Sequence, residues 1–263
     1  MRFSEVIAAM RGEGGDWRAP VPDNWLQGRT VFGGLQAALA VRAMRALLPA
    51  AAPLRTLQAT FIAPAPAGEL RVAARVLRSG KSATHVEADL YDGEQLACRT
   101  LGIFGLPRES ALALAPAMPA VPLAADAARE LPYIEGVTPA FTQNVGFRWA
   151  QGGFPFSGAR EPRTQIYVRL KDAAEIGELQ LIALADTIPS PALSMLKKPA
   201  AASSLTWMLE FLHPEYERSA DGWWLIDAEV SAAHSGYLSQ TATLWSPDRR
   251  AIAYSRQSVV AFA

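Results

Sequence analysis

The stretch VFGGLQAALAVRAMRALL, residues 31–48, decides the fold. Ala, Leu and Met dominate it, and all three are strong helix formers. Residues 37–41 contain no polar side chain, a run longer than one helical turn. A helix lying on a surface would carry a solvated stripe there, so this one is expected to be buried over most of its length. Gly33 and Gly34 open it. Arg42 and Arg45 fall in its last turns, where positive charge suits the helix dipole, and Pro49 stops it. The two glycines admit two readings. They let another backbone pass closely, or they present bare N–H groups at the positive end of the dipole to a carbonyl oxygen or an anion.

Upstream of this helix, residues 3–10 form a short amphipathic helix and residues 17–28, rich in Pro and Trp, an extended segment leading in. Downstream, the texture changes to strands. Residues 55–62 carry Thr and Phe, residues 70–77 and 84–91 alternate, Asp92-Gly93 is a hairpin turn, and residues 95–104 return. Residues 106–140 are dense in Ala and Pro, a composition that excludes a strand pattern. They read as a long crossover with a short helix at 124–131.

The second half then repeats the first. A strand at 165–170 precedes an apolar helix at 179–194, which ends in a proline-bearing turn. Residues 203–212 repeat 55–62, with Phe211-Leu212-His213-Pro214 answering Phe61-Ile62-Ala63-Pro64. Residues 222–232 answer 68–77, Ser235-Gly236 answers Ser79-Gly80, and 251–262 answer 95–105. On this alignment Gln257 corresponds to Leu101 and Ser204 to Leu54, so the polar residues belong to the second copy alone. Three segments follow: residues 1–105 and 141–263 as repeated units, and 106–140 as the linker.

Composition narrows the function. The chain has 263 residues, 50% hydrophobic, enough for one large or two small domains. Lys plus Arg is 25 and Asp plus Glu is 25, which gives no reason to expect a nucleic-acid or acidic-membrane partner. A lone cysteine, Cys98, excludes an internal disulfide and reads as core. His85, His213 and His234 are scattered, so neither a metal site nor a cofactor is expected. His234 beside Ser235 reads as a solvated loop residue, and no Gly-x-Ser-x-Gly elbow makes Ser235 a nucleophile. Residues 1–17 lack the apolar core of a secretion signal and no apolar run reaches membrane-spanning length, so a cytoplasmic protein without membrane insertion is expected.

A helix clasped by a curved antiparallel sheet is the hotdog fold, and two in tandem are a double hotdog, an α+β architecture. Over nearly its whole length the chain resembles the acyl-CoA thioesterase II (TesB-like) family. Val31-Phe32-Gly33-Gly34 is similar to that family's opening of the first central helix, and Leu184-Ala185-Asp186 to its acidic residue in the second. Ser204-Leu205-Thr206, seven residues before Phe211, is similar to its hydroxyl-bearing strand, and Arg256-Gln257 to its final glutamine strand. The resemblance implies hydrolysis of acyl-CoA to fatty acid and CoA by a water that Asp186, Gln257 and a hydroxyl orient and deprotonate.

In the family the hydroxyl belongs to a threonine, and the next-but-one residue is often acidic. Here these positions hold Ser204 and Thr206, so either could supply the hydroxyl, since both lie on the same face of a strand. Asp186 follows an apolar run, which would desolvate it and raise its pKa; alternatively it opens a solvated turn. Phe32, Gly33, Gly34 and Trp207 are the candidate substrate contacts. Two other functions fit the fold: a non-catalytic acyl-CoA or lipid-binding protein, and an enoyl-CoA hydratase or dehydratase. The latter needs a His with its acid on a central helix, and residues 31–48 and 179–194 contain none. A homodimer or larger homo-oligomer is expected, because an open strand edge invites pairing.

Overall fold

The computed structural model describes every residue except 50, 51, 173, 174, 214, 215, 217, 220, 221 and 263. In chain order the elements are α1 (Phe3–Ala8), β1 (Arg11–Glu13), β2 (Asp16–Val21), β3 (Leu26–Gln27), β4 (Thr30–Val31) and α2 (Gly33–Arg45). There follow β5 (Leu54–Phe61), β6 (Gly68–Ser79), β7 (Ala83–Asp92), β8 (Gln95–Gly105), β9 (Arg129–Glu130), β10 (Val145–Gln151) and β11 (Arg163–Leu170). The chain closes with α3 (Glu178–Ala185), β12 (Ala202–Phe211), β13 (Trp224–His234), β14 (Tyr237–Trp245) and β15 (Ala251–Ala261).

Thirteen of the strands make one sheet, ordered β1-β2-β6-β7-β8-β5-β12-β15-β14-β13-β11-β10-β9. The centre of the sheet is the antiparallel β5–β12 pair, from Thr56 opposite Glu210 to Thr60 opposite Thr206. Outward from that seam, β8, β7, β6 and β2 on one side match β15, β14, β13 and β11 on the other. Each half even carries a β-bulge at the same place, between Leu54 and Thr56 in β5 and between Ser204 and Thr206 in β12. The strand order, and the bulge with it, is therefore mirrored about the seam.

The sheet buries α2 and α3. Leu35, Ala37, Ala38, Leu39, Ala40, Val41, Ala43 and Met44 are all fully buried. Helix α2 packs on α3 and on β6, β7 and β8, so no side of it stays wet. Cutting Leu39 back to Ala in such surroundings costs about 2–5 kcal/mol.

The two helices run antiparallel. Arg45, the last residue of α2, holds Glu178, the first of α3, through two hydrogen bonds of 2.8 and 2.5 Å. At the other end Gly34 lies against Ala183, whose carbonyl oxygen would be 2.9 Å from a Cβ placed there.

Several expectations need correction. Helix α3 does not reach Ser194: it stops at Ala185, and after an extended link a separate 3-10 turn covers Pro191–Met195. Thr187 closes the last turn by donating its backbone N–H (3.1 Å) and its hydroxyl (2.8 Å) to the Leu184 carbonyl. Pro189 then biases Ile188 away from helical geometry. Two turns of helix thus replace a long second central helix. Residues 124–131 form turns and the short β9 in place of a helix, and β10 is a strand that the composition did not announce.

Candidate active site

Asp186 is the C-cap of α3, with φ −102° and ψ −1°. The apolar run before it fills the core, and the antiparallel packing delivers its carboxylate to the first turn of α2. A Cβ on Gly33 would sit 2.8 Å from Asp186 Oδ2 and 2.9 Å from Phe61 Cζ. A Cβ on Gly34 would meet the Phe32 ring at 2.7 Å. Gly34 lets the α3 backbone approach, and its own N–H hydrogen bonds to the Asp186 carboxylate.

The other partner of Asp186 comes from the far end of the chain. Gln257, 5% exposed on β15, donates its Nε2 to Asp186 Oδ1 at 2.6 Å. Its carbonyl Oε1 accepts from the Ser204 hydroxyl at 2.8 Å and from Gln240 Nε2 at 3.2 Å. Four side chains from α3, β12, β14 and β15 so form one connected network. Among the described residues both donors to the carboxylate, Gln257 and Gly34, are neutral. Burial pushes the Asp186 pKa up to about 7, against the opposing pull of the Gln257 and Gly34 hydrogen bonds. A carboxyl group poised there can take and return a proton near neutrality.

The bulge in β12 separates the two candidate hydroxyls. Ser204 is opposite Val259 and Thr206 is opposite Ser258, adjacent positions that point to opposite faces of β15. Ser204 therefore turns inward to Gln257, whereas Thr206 is exposed on the outer face. The premise that the two share a face is wrong, because the bulge breaks the period of two. Trp207 is opposite Gln257 on the inner face, 2% exposed, and its indole N–H donates to Ser255 Oγ at 2.9 Å. Phe32, the N-cap of α2, stacks on Phe141 with ring centroids 4.1 Å apart and planes 6° apart.

The register also corrects the internal alignment. Trp207 faces Gln257 four residues before the Phe211–Ala253 pair, and Leu57 faces Gly102 four residues before the Phe61–Cys98 pair. The counterpart of Gln257 is thus Gly102, not Leu101, while Ser204 does match Leu54. Gln240, which sequence reading missed, matches Val86, since each faces those positions from the next strand. Its signal was present: Gln240 shares the inward phase of Leu238 and Leu244 and is the polar exception among them. His234 is exposed in a hairpin, with Nδ1 2.8 Å from Ser235 Oγ, and Cys98 is buried in the core.

The site thus brings together a buried carboxylate, two glutamine amides and a hydroxyl. A structure from Alicyclobacillus acidocaldarius described as a conserved protein with a hotdog fold matches at TM-score 0.86 and 22% identity, covering 99% of this chain and 98% of that one. The TesB protein of Mycobacterium avium subspecies paratuberculosis matches at TM-score 0.80 and 12% identity, covering 99% and 100%. The acyl-CoA thioesterase II TesB2 of Mycobacterium marinum matches at 0.75 and 15%, covering 98% and 97%. No curated protein sequence matches significantly. The fold is a hotdog fold, and the protein is a thioesterase. The family models for the acyl-CoA thioesterase N-terminal and C-terminal domains match residues 21–105 and 121–261, so the chain belongs to the acyl-CoA thioesterase family.

Proposed function

We propose that the protein hydrolyses acyl-CoA thioesters to a free fatty acid and CoA, using Asp186 as the general base. One observation carries this reading: a buried carboxylate, held by the neutral Gln257 and Gly34 donors, at the N-terminus of a buried helix. Ionised Asp186 takes a proton from water as the water oxygen bonds to the thioester carbonyl carbon. The C–S bond then breaks, and Asp186 returns the proton to the departing CoA sulfur. Gln257 keeps the carboxylate in place, and Ser204 steadies Gln257. The Gly33 N–H, at the positive end of the α2 dipole, polarises the thioester carbonyl. A thioester is already activated, so positioned base help of about 10²–10⁴-fold is an adequate contribution.

The same reading makes residues 1–105 and 141–263 two tandem hotdog units joined by 106–140, with one site per chain. The mirrored strand order supports it, and so does the apolar character of Leu54, Val86 and Gly102 where the second unit has Ser204, Gln240 and Gln257. The test is thiol release from acyl-CoAs of short to long chain, with Asp186→Asn beside the unmodified protein. Turnover that collapses in the folded variant supports the assignment, and turnover that survives sinks it. If no chain length is cleaved while acyl-CoA still raises the melting temperature, the protein binds acyl-CoA and does not hydrolyse it.

A further inference from the structure

Gln240 is 4% exposed in β14 and donates its Nε2 to Gln257 Oε1 at 3.2 Å. Its own carbonyl oxygen is buried with no hydrogen-bond partner among the described residues. Packing does not call for an amide there, because Val86 fills the matching place in the first half and is fully buried. A buried amide with an unanswered carbonyl therefore costs stability that an apolar side chain would not.

We propose that Gln240 is a positioning residue: its amide nitrogen, which can only donate, fixes the Gln257 carboxamide so that Gln257 offers Asp186 an N–H and not a carbonyl. The proposal rests on the reading of Asp186 as the base. Ser204 cannot set this orientation alone, because a hydroxyl donates or accepts and would satisfy either face of the amide. A turned Gln257 would place a carbonyl oxygen against a carboxylate, two acceptors with no proton between them. It would then favour the protonated, inactive form of the base.

Among the described residues, burial and the Gln257 and Gly34 hydrogen bonds are what act on the Asp186 carboxyl. Glu178, at the other end of α3, is paired with Arg45 of α2, and Glu210 of β12 and Arg256 of β15 are exposed on the outer face. Cys98 of β8 is the titratable group that senses Asp186, and burial pushes its thiol up to about 12, so it stays protonated.

The test is Gln240→Met, which keeps the length and removes the donor. Turnover is expected to fall roughly five- to tenfold, the share of one hydrogen bond, with KM within about twofold. The midpoint of the rising pH limb should move up by about half a unit, and the melting temperature should hold or rise. Gln240→Glu, whose ionised carboxylate only accepts, should lose more at high pH and recover part of the loss at low pH. Unchanged turnover and midpoint in Gln240→Met would overturn the proposal. So would a loss of turnover that tracks a loss of melting temperature with no shift in the midpoint. Should Asp186→Asn stay active, the base itself is misassigned and the Gln240 proposal falls with it. A dead Asp186→Asn beside a normal Gln240→Met removes the Gln240 proposal alone.

Discussion

The two ends of the α2–α3 pair carry the same ingredients with opposite outcomes. At one end the Glu178 carboxylate meets the Arg45 guanidinium and accepts from the Leu54 backbone N–H at 3.3 Å. Met44 closes that end against Gly102. At the other, the Asp186 carboxylate meets the amides of Gln257 and Gly34, with Ser204 where Leu54 would be. The backbone is shared down to the bulge, so a handful of side chains separates the two ends. The Arg45 guanidinium grips the Glu178 carboxylate through two hydrogen bonds, which suits a clamp. Neutral donors and burial leave the Asp186 carboxylate able to trade a proton, which suits a base.

The comparison breaks hardest at Asp186. Asp186→Asn should cut the rate of thiol release by about 10²–10⁴-fold. It should also stabilise the protein, and the sign is fixed by linkage. The native carboxyl titrates near 7, above the ordinary value near 4, so between those pH values the folded state keeps a proton that the unfolded state has lost. Its stabilising contribution is present below about pH 4 and lost as pH rises through about 7. Denaturant melts should therefore show Asp186→Asn more stable by a few kcal/mol at pH 8, with the gap closing towards pH 4. Turnover of the unmodified protein should climb with a midpoint near pH 7.

Gln257→Leu takes from the Asp186 end the amide that the silent Arg45–Glu178 end lacks at Gly102. It should lower turnover by about 10²-fold and move the midpoint up, since the N–H that favours the ionised base is gone. Gly33→Ala places a methyl 2.8 Å from Asp186 Oδ2, and steady-state kinetics should show a loss of kcat larger than its loss of stability. At the silent end, Arg45→Met strands Glu178 with both side chains only 21–24% exposed, and should cost roughly 1–3 kcal/mol in urea melts. Its turnover per folded molecule should stay unchanged. Gly102→Ala is the mildest change. Its methyl would meet the flexible Met44 sulfur at 2.8 Å, so a loss of about 1 kcal/mol with no change in kcat is expected. A kinetic effect of either silent-end substitution would argue for a second functional end.

Much of this was legible in the sequence, for identifiable reasons. The apolar run at 37–41 announced a buried helix, and the strand alternations with Asp92-Gly93 announced a meander. The repeat of Phe61 and Phe211 pointed to the strand order that mirrors about the β5–β12 seam. What failed was phase and length. Apolar residues at 179–185 have no period that says where a helix must end, and the stop comes from the Thr187 hydroxyl and Pro189. A bulge is invisible in a single sequence, and it decides that Ser204 faces inward while Thr206 does not. The shift from Leu101 to Gly102 as the match of Gln257 is the same kind of error, one residue of register. Gln240 was overlooked although its inward phase was readable.

The β5–β12 seam has a consequence for how the chain is made. Emerging from the ribosome, the first half can pair β5 with β8, but the other edge of β5 waits for residues 202–211. For that interval a strand destined for the middle of a sheet is an open edge, a template for pairing with any neighbouring nascent chain. The same dependence means that a nick within 106–140 should leave two fragments that cannot part without opening the seam. Fragment complementation, with the halves made separately and mixed, should restore the site only when both are present, because Gly34 and Asp186 come from opposite sides of the cut.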